Sequence, residues 1–68
     1  MNITDIEEGK TFYKKNDERK YHFVKVFKDE YTRLIVYKFY GIVKQWWHYR
    51  IETYNDFMDK SETGLYYT

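Results

Sequence analysis

The sequence of residues 32–39 is TRLIVYKF, a segment dominated by β-branched, aromatic and aliphatic side chains. Such side chains favour strands, and no apolar period of 3.6 residues continues through the middle of the chain, so we predict a strand here. Successive side chains of a strand point to opposite faces. Ile35, Tyr37 and Phe39 therefore share one face, which we expect to be the core, and Lys38 belongs to the other.

Three further segments have the same character, and polar clusters separate them. The predicted strands are 10–15, 20–27, 32–39 and 46–52, and the predicted turns are 16–19, 28–30 and 40–45. Turn-favouring Asn, Asp and Gly or charged residues occupy each connection. Strand starts about 12 to 14 residues apart favour consecutive antiparallel hairpins.

The fourth predicted strand has two sets of alternating side chains. Trp47, Tyr49 and Ile51 form the more apolar set, and we expect them to join the core. Trp46, His48 and Arg50 form the other set, which is only half apolar. That pattern is typical of an outer face or of a face that meets a partner.

The two ends of the chain differ from its middle. Thr53 or Asn55 can cap a short helical turn near 53–59, and residues 65–68 are predicted to add an edge strand. Residues 1–9 are predicted to be loosely ordered or to form a short helical segment, capped by Asn2 or Thr4. In that segment Ile3 and Ile6 would pack inward.

Together these elements predict a mainly β fold that is a single domain over residues 1–68. We expect a small antiparallel barrel or a strongly twisted sheet of 4–5 strands. The segments GKTFY at 9–13, LIVYK at 34–38 and WHYR at 47–50, with a one-turn element at 54–57, resemble the compact SH3-like barrel proteins of phages and bacteria. The resemblance covers 9–57, and the chain departs from it in having no Pro and few Gly. Barrels of this kind bind nucleic acids or peptides or act as inhibitors, so the resemblance implies the fold more than the function.

Length and composition limit the classes of function. A domain of 68 residues buries a small core, and the chain has no Cys for disulfides or thiolate metal sites. Residues 1–9, 10–50 and 51–68 have net charges of −3, +7 and −3, which sum to +1. The near-neutral total is unusual for non-specific duplex binding. The acidic start has no secretory pattern and no long apolar run follows, so we expect a cytoplasmic protein, in the host cell if a phage encodes it, with no membrane association.

Few residues offer catalytic chemistry. His22 and His48 could be a metal pair, a general base, or ordinary hydrogen-bonded imidazoles, and two ligands without a third do not make a zinc site. Adjacent carboxylates at 7–8, 17–18 and 29–30 diverge in extended structure, and Ser61 lies in a polar segment. We expect no catalytic residues, no metal, no cofactor and no enzyme.

The overlap of rings and cations is the strongest functional signal. Twelve of the sixteen aromatic residues and eleven of the twelve Lys and Arg lie in 10–50. Rings stack on bases and cations contact phosphates, a combination typical of single-stranded DNA or RNA binding. The candidate binding residues, for protein or nucleic acid, are Trp46, His48, Arg50, Lys38, Tyr40 and Lys44, with Lys25 as an extension.

Exposed rings also anchor protein interfaces. Tyr31, Tyr66 and Tyr67 are candidate interface residues, and since Tyr66 and Tyr67 are adjacent on a strand, one of them should face outward. We therefore expect a small non-enzymatic binding module, a protein-interaction or inhibitory accessory protein of phage or mobile-element type, which binds a protein partner or self-associates. The alternative is a barrel that binds single-stranded DNA or RNA through a basic and aromatic β surface.

Overall fold

The computed structural model describes residue 3 and residues 6–68, which form one sheet and one helix. The elements are β1 (Thr11–Lys14), β2 (Lys20–Lys28), β3 (Arg33–Tyr40), β4 (Trp47–Thr53), α1 (Tyr54–Glu62) and β5 (Tyr66–Tyr67). The predicted mainly β fold is confirmed. Each of the four central strands begins and ends within one residue of its predicted bounds.

The strands form one antiparallel sheet in the order β4-β3-β2-β1-β5. Of the two predicted forms the structure has the sheet, with β4 and β5 at its edges. Tyr67 pairs with Tyr13 of β1, so the predicted C-terminal edge strand is confirmed. A bulge between Phe23 and Lys25 interrupts the β2–β3 register. The likeness to SH3-like barrels stays a prediction.

The turns form where polar residues cluster. Asn16 has a positive φ of 63°, a conformation that Asn tolerates better than most residues. In the β2–β3 connection the Asp29 carboxylate accepts hydrogen bonds from the backbone N–H groups of Tyr31 (3.1 Å) and Thr32 (2.5 Å). These local bonds reverse the chain without burying unpaired polar groups.

The core is a cluster of rings centred on Phe12, which is fully buried. Five ring centroids lie 4.9 to 5.2 Å from that of Phe12, and they belong to Tyr21, Phe23, Tyr37, Phe57 and Tyr66. Ile35 and Phe39 are also buried, as predicted. Edge-to-face and tilted rings at this spacing stabilise the core beyond the area they bury.

The N-terminal segment packs onto α1. Ile3 and Ile6 are buried, as predicted, and the Ile3 N–H donates to Ser61 Oγ at 2.7 Å. Ser61 is fully buried on α1, although the sequence segment around it is polar. The predicted caps Asn2 and Thr4 lie outside the described residues.

Helix α1 begins where the sequence predicts. Thr53 is the N-cap, and its Oγ1 accepts from the Asp56 N–H at 3.2 Å. The helix continues for nine residues, longer than the predicted turn, because Phe57 is buried against the sheet and Ser61 reaches the N-terminal segment. Gly64, with a φ of 84°, then turns the chain into β5.

Strand β4 presents the opposite face from the predicted one. Residues opposite each other in an antiparallel pair project to the same face, and buried Phe39 pairs with His48. Trp47, Tyr49 and Ile51 are instead 41, 55 and 65 % exposed. The prediction that these three join the core is wrong, because the β3–β4 register, and not apolar content, decides the face.

Candidate functional site

No helix or strand of the described residues covers the side of the sheet opposite α1. We call it the helix-free face, and its strand positions follow from the cross-strand register: Thr11, Tyr13, Lys20, His22, Lys25, Phe27, Leu34, Val36, Lys38, Tyr40, Trp47, Tyr49, Ile51, Thr53 and Tyr67. Six of these side chains are aromatic, three are lysines and none is Asp or Glu. The face is therefore basic and aromatic, without a carboxylate of its own.

The described acidic residues of the two ends leave most of this face open. Asp56, Asp59 and Glu62 belong to α1, whose Phe57 packs into the core on the other side of the sheet. Glu8 approaches the face at one point, where a carboxylate oxygen lies 3.2 Å from Lys25 Nζ. The acidic C-terminal part of the chain thus does not cover the basic middle.

Trp47 is the centre of ring contacts at one end of the helix-free face. Its ring meets that of Tyr40 edge-on at 5.4 Å and that of His22 edge-on at 5.8 Å. Lys38 Nζ lies 4.7 Å from the Trp47 ring centroid, within cation–π range. At the β1–β5 edge, Tyr13 and Tyr67 stack with centroids 5.8 Å apart.

Beside Trp47 the rings enclose an aromatic cleft of about 420 Å³, lined by Tyr40, Gln45, Trp46, Trp47 and Tyr49. Trp46 precedes β4 and is 73 % exposed, so it is a loop residue rather than a strand residue beside His48 and Arg50. The Tyr40 hydroxyl donates to the Gln45 carbonyl at 2.9 Å and fixes the cleft wall. An open cleft of rings fits a flat apolar group.

The sheet therefore separates the predicted binding residues into two groups. Trp46, Tyr40 and Lys38 lie with the helix-free face, together with Trp47 and Tyr49, which the sequence interpretation had assigned to the core. On the α1 side, beyond the end of the helix, a cationic pocket of about 700 Å³ includes the other three, and its basic lining residues are Lys14, Arg19, Lys44, His48 and Arg50. The single surface predicted from the alternation of β4 does not exist.

Asp17, Arg19 and Tyr21 form a network of hydrogen bonds with one ion pair along one wall of the cationic pocket. Arg19 Nε lies 2.9 Å and Nη2 2.6 Å from different oxygens of Asp17, and the Tyr21 hydroxyl donates to that carboxylate at 2.8 Å. The Arg19 hydrogen bond holds the pKa of Asp17 well below its usual range, and burial raises the pKa of Tyr21 to about 12. The Arg19 guanidinium also lies 4.4 Å from the Phe39 ring centroid.

Loop 41–46 separates the two cavities. The Gly41 N–H donates to the Trp46 carbonyl at 2.9 Å, and the Trp46 N–H donates to the Lys44 carbonyl at 2.6 Å. A Cβ at Gly41 would lie 2.6 Å from His48 Nε2, so the loop needs glycine to approach β4. One tight loop thus positions Trp46 on one side and Lys44 on the other.

The two histidines cannot form the metal pair that the sequence left open. His22 projects to the helix-free face and His48 stacks on Phe39 on the α1 side. Within residue 3 and residues 6–68, no three His, Cys, Asp or Glu side chains come close enough together to hold a metal ion. Burial, followed by repulsion from Lys38 and Lys20, lowers the pKa of His22.

Sequence reasoning missed the carboxylate of Glu52, whose side chain is only 11 % exposed. Its Oε2 accepts the hydroxyls of Tyr37 (2.8 Å) and Tyr66 (2.7 Å), and its Oε1 pairs with Lys60. Burial alone would raise the pKa of Glu52, but the hydrogen bonds from Lys60 and both tyrosines lower it. Burial in turn raises the pKa of Tyr37 to about 12 and that of Tyr66 further. With every oxygen engaged, the network joins β3, β4, β5 and α1. The only sequence signal was a carboxylate just before the helix cap.

The three candidate interface tyrosines have different positions. Tyr31 is 94 % exposed in the β2–β3 turn and Tyr67 is 41 % exposed on the helix-free face. Tyr66 is buried in the core, so the expectation that its ring is exposed is wrong. Of the adjacent rings Tyr66 and Tyr67, one therefore faces outward, as the alternation of side chains along a strand requires.

Across the described residues there is no helix of the length and apolar character that crossing a membrane demands. Comparisons with protein-family models, curated proteins and solved structures found no match to this chain.

Proposed function

We propose that this chain binds single-stranded nucleic acid across its helix-free face. The observation that supports the proposal is the composition of that face, six aromatic side chains and three lysines with no carboxylate. Proteins that bind single strands combine stacking rings with cations that contact the backbone. The proposal reverses the order of the two functions expected from the sequence.

Bases would stack at the Trp47 end of the face. Trp46, Trp47 and Tyr49 are between 41 and 73 % exposed there, beside the open aromatic cleft. Stacking on such a ring contributes about 1–3 kcal/mol per base. Lys38, which already lies over the Trp47 ring, would contact the phosphate next to a stacked base.

The backbone would then cross the strands toward β2. Lys20 and His22 follow Lys38 across the face, since His22 pairs directly with Lys38. From Trp47 on β4 to Tyr67 on β5 the face spans four strand spacings of about 4.8 Å each. The chain's net charge of +1 favours this local surface over duplex binding, which depends on a strongly basic domain.

The test is a titration of fluorescently labelled single-stranded DNA and RNA at about 50 mM and 200 mM salt, followed by anisotropy. Contacts from three lysines give a salt slope of about −2, so the fourfold rise in salt should weaken binding about twentyfold. The Trp47→Ala variant should lose about 1–3 kcal/mol of affinity, a factor of about 5 to 150.

Tyr31→Ala is the matched control, because Tyr31 is the most exposed of the tyrosines and lies in a turn away from the face. It should bind as the wild type does. Binding that survives both Trp47→Ala and high salt would contradict the proposal, provided that circular dichroism shows each variant folded.

A protein-interaction function is the second candidate, and the opposite end of the same face favours it. Ile51 is 65 % exposed there and lies opposite Val36, and the cation nearest in register, Lys25, is already paired with Glu8. A patch of this kind suits an apolar protein partner or a second copy. Salt-insensitive association in sedimentation, lost in Ile51→Ser, would support it. An accessory or inhibitory role stays a prediction.

A further inference from the structure

The cationic pocket on the α1 side is separate from the helix-free face and needs its own explanation. Its volume is about 700 Å³, in the range of small-molecule sites and far larger than a phosphate ion needs. It forms because α1 packs on Phe12 and Tyr66 and leaves the Phe39 end of the sheet uncovered.

Charge balance inside the pocket leaves three cations without a carboxylate. Arg19 is paired with Asp17, so the two cancel. Arg50 Nη1 donates to the Tyr49 carbonyl at 3.0 Å, and its guanidinium lies 5.5 Å from the Phe39 ring centroid. Among residue 3 and residues 6–68, Lys14, Lys44 and Arg50 have no ion pair.

Among residue 3 and residues 6–68, no acid lines the pocket to neutralise them. Asp17 is held by Arg19 and Tyr21, and Glu52, further along the same face, is held by Lys60 and two tyrosine hydroxyls. The pocket therefore keeps an excess of positive charge in a concave site, where a multiply charged anion gains most.

We propose that this pocket binds a phosphomonoester. The Arg50 guanidinium offers a planar fork of donors to phosphate oxygens, and Lys14 and Lys44 supply point charges. Ile42 and Val43, 68 and 95 % exposed, form an apolar wall for the organic part of the ligand. Both a free nucleoside monophosphate and the 5′-phosphate of a nucleic acid strand present this chemistry.

The position of loop 41–46 relates the two cavities. Lys44 lines the cationic pocket and Trp46 lines the aromatic cleft, two residues apart. A strand whose terminal bases stack in the cleft could place its 5′-phosphate over the loop. Binding of a strand's 5′-phosphate rests on the proposed function. Binding of a free nucleotide does not rest on it.

The test follows amide and Arg Nε–H signals of isotope-labelled protein by NMR during titration with inorganic phosphate, adenosine monophosphate and adenosine. The two phosphates should shift the signals of Arg50, Lys44 and Gly41, whereas uncharged adenosine should not. Arg50→Gln and Lys44→Gln should each weaken monophosphate binding at least about tenfold. Lys28→Gln, which removes the same charge at the opposite end of the sheet, should bind normally.

Unchanged signals at about 10 mM monophosphate, or equal binding in the Arg50→Gln, Lys44→Gln and Lys28→Gln proteins, would overturn the proposal. Oligonucleotides with and without a 5′-phosphate then distinguish the sources. A 5′-phosphate advantage of about fivefold or more that Arg50→Gln abolishes identifies a strand end, since charge-assisted bonds to one phosphate produce it. Equal oligonucleotide affinities with intact monophosphate binding identify a free nucleotide.

Discussion

Lys38 Nζ lies 4.7 Å from the centre of the Trp47 ring, on the side of the sheet that α1 leaves open. The two residues are diagonal neighbours, because Lys38 pairs with Tyr49 and Trp47 with Tyr40. Their contact brings a positive charge and a stacking surface to the same point. A base on Trp47 would therefore have a cation beside its phosphate.

Replacing Lys38 tests this relationship. Lys38→Gln removes one phosphate contact, so the slope of log affinity against log salt should become shallower by about 0.7 for single strands. Its affinity loss at low salt should be smaller than that of Trp47→Ala. Folding should change by no more than about 1 kcal/mol, the range of an exposed cation–π contact. An unchanged slope, measured by anisotropy at several salt concentrations, would exclude Lys38 from the site.

The hydrogen bonds and the ion pair of Glu52 should contribute measurably to the free energy of unfolding. Glu52→Gln replaces a carboxylate that accepts from Tyr37, Tyr66 and Lys60, and should cost about 1–3 kcal/mol in urea unfolding. Glu62→Gln, at an exposed position of α1, is the control and should lose less than about 0.5 kcal/mol.

The same carboxylate predicts an acid dependence. Because the pKa of Glu52 is lower in the folded protein than its ordinary 4.5, the unfolded chain binds the proton more readily. The stabilisation is present above pH 4.5 and is lost as pH falls through the folded value. Urea midpoints below pH 4.5 should therefore converge for wild type and Glu52→Gln. A difference between the two urea midpoints that stays constant down to low pH would show that the shape of the Glu52 side chain, and not its charge, stabilises the fold.

Gly41 should tolerate no side chain. In Gly41→Ala the new methyl group would meet the Lys44 carbonyl and His48 Nε2, and the backbone contact cannot move freely. We expect a loss of about 1–3 kcal/mol and shifted His48 ring signals in NMR spectra. Gln45→Ala, a truncation in the same loop, should change neither quantity. Wild-type stability in Gly41→Ala would mean that the loop can open at little cost.

The strand positions followed from the sequence because turn chemistry and β-branched runs are local signals. Asp29 and Thr53 each accept hydrogen bonds from backbone N–H groups two or three positions away, and Asn16 takes the positive φ that its turn requires. Such contacts can be inferred from short stretches alone. The central strands and the helix cap are accordingly where we predicted them.

The orientation of β4 could not be inferred from its own residues. Trp47, Tyr49 and Ile51 are more apolar than the residues between them, so alternation favoured them for the core. The six-residue loop 41–46 instead makes Tyr40 and Trp47 the closing pair, and Tyr40 lies on the face opposite Phe39. Loop length and the partner strand fix the face, and a shift of one residue would have reversed it.

The pH dependence of His22 is the most specific consequence of the helix-free face. Its lowered pKa means that the unfolded chain takes up a proton first, so stability should be complete above pH 6.5 and fall as pH decreases below it. Nucleic acid binding should respond in the opposite way, because protonated His22 adds a charge between Lys38 and Lys20. Lowering the pH from about 7.5 to 5.5 should therefore tighten binding of a 5′-hydroxyl strand while lowering the urea midpoint. His22→Gln should lose both effects, whereas Lys28→Gln should keep them. An equal gain in affinity in His22→Gln would place the bound strand away from this residue.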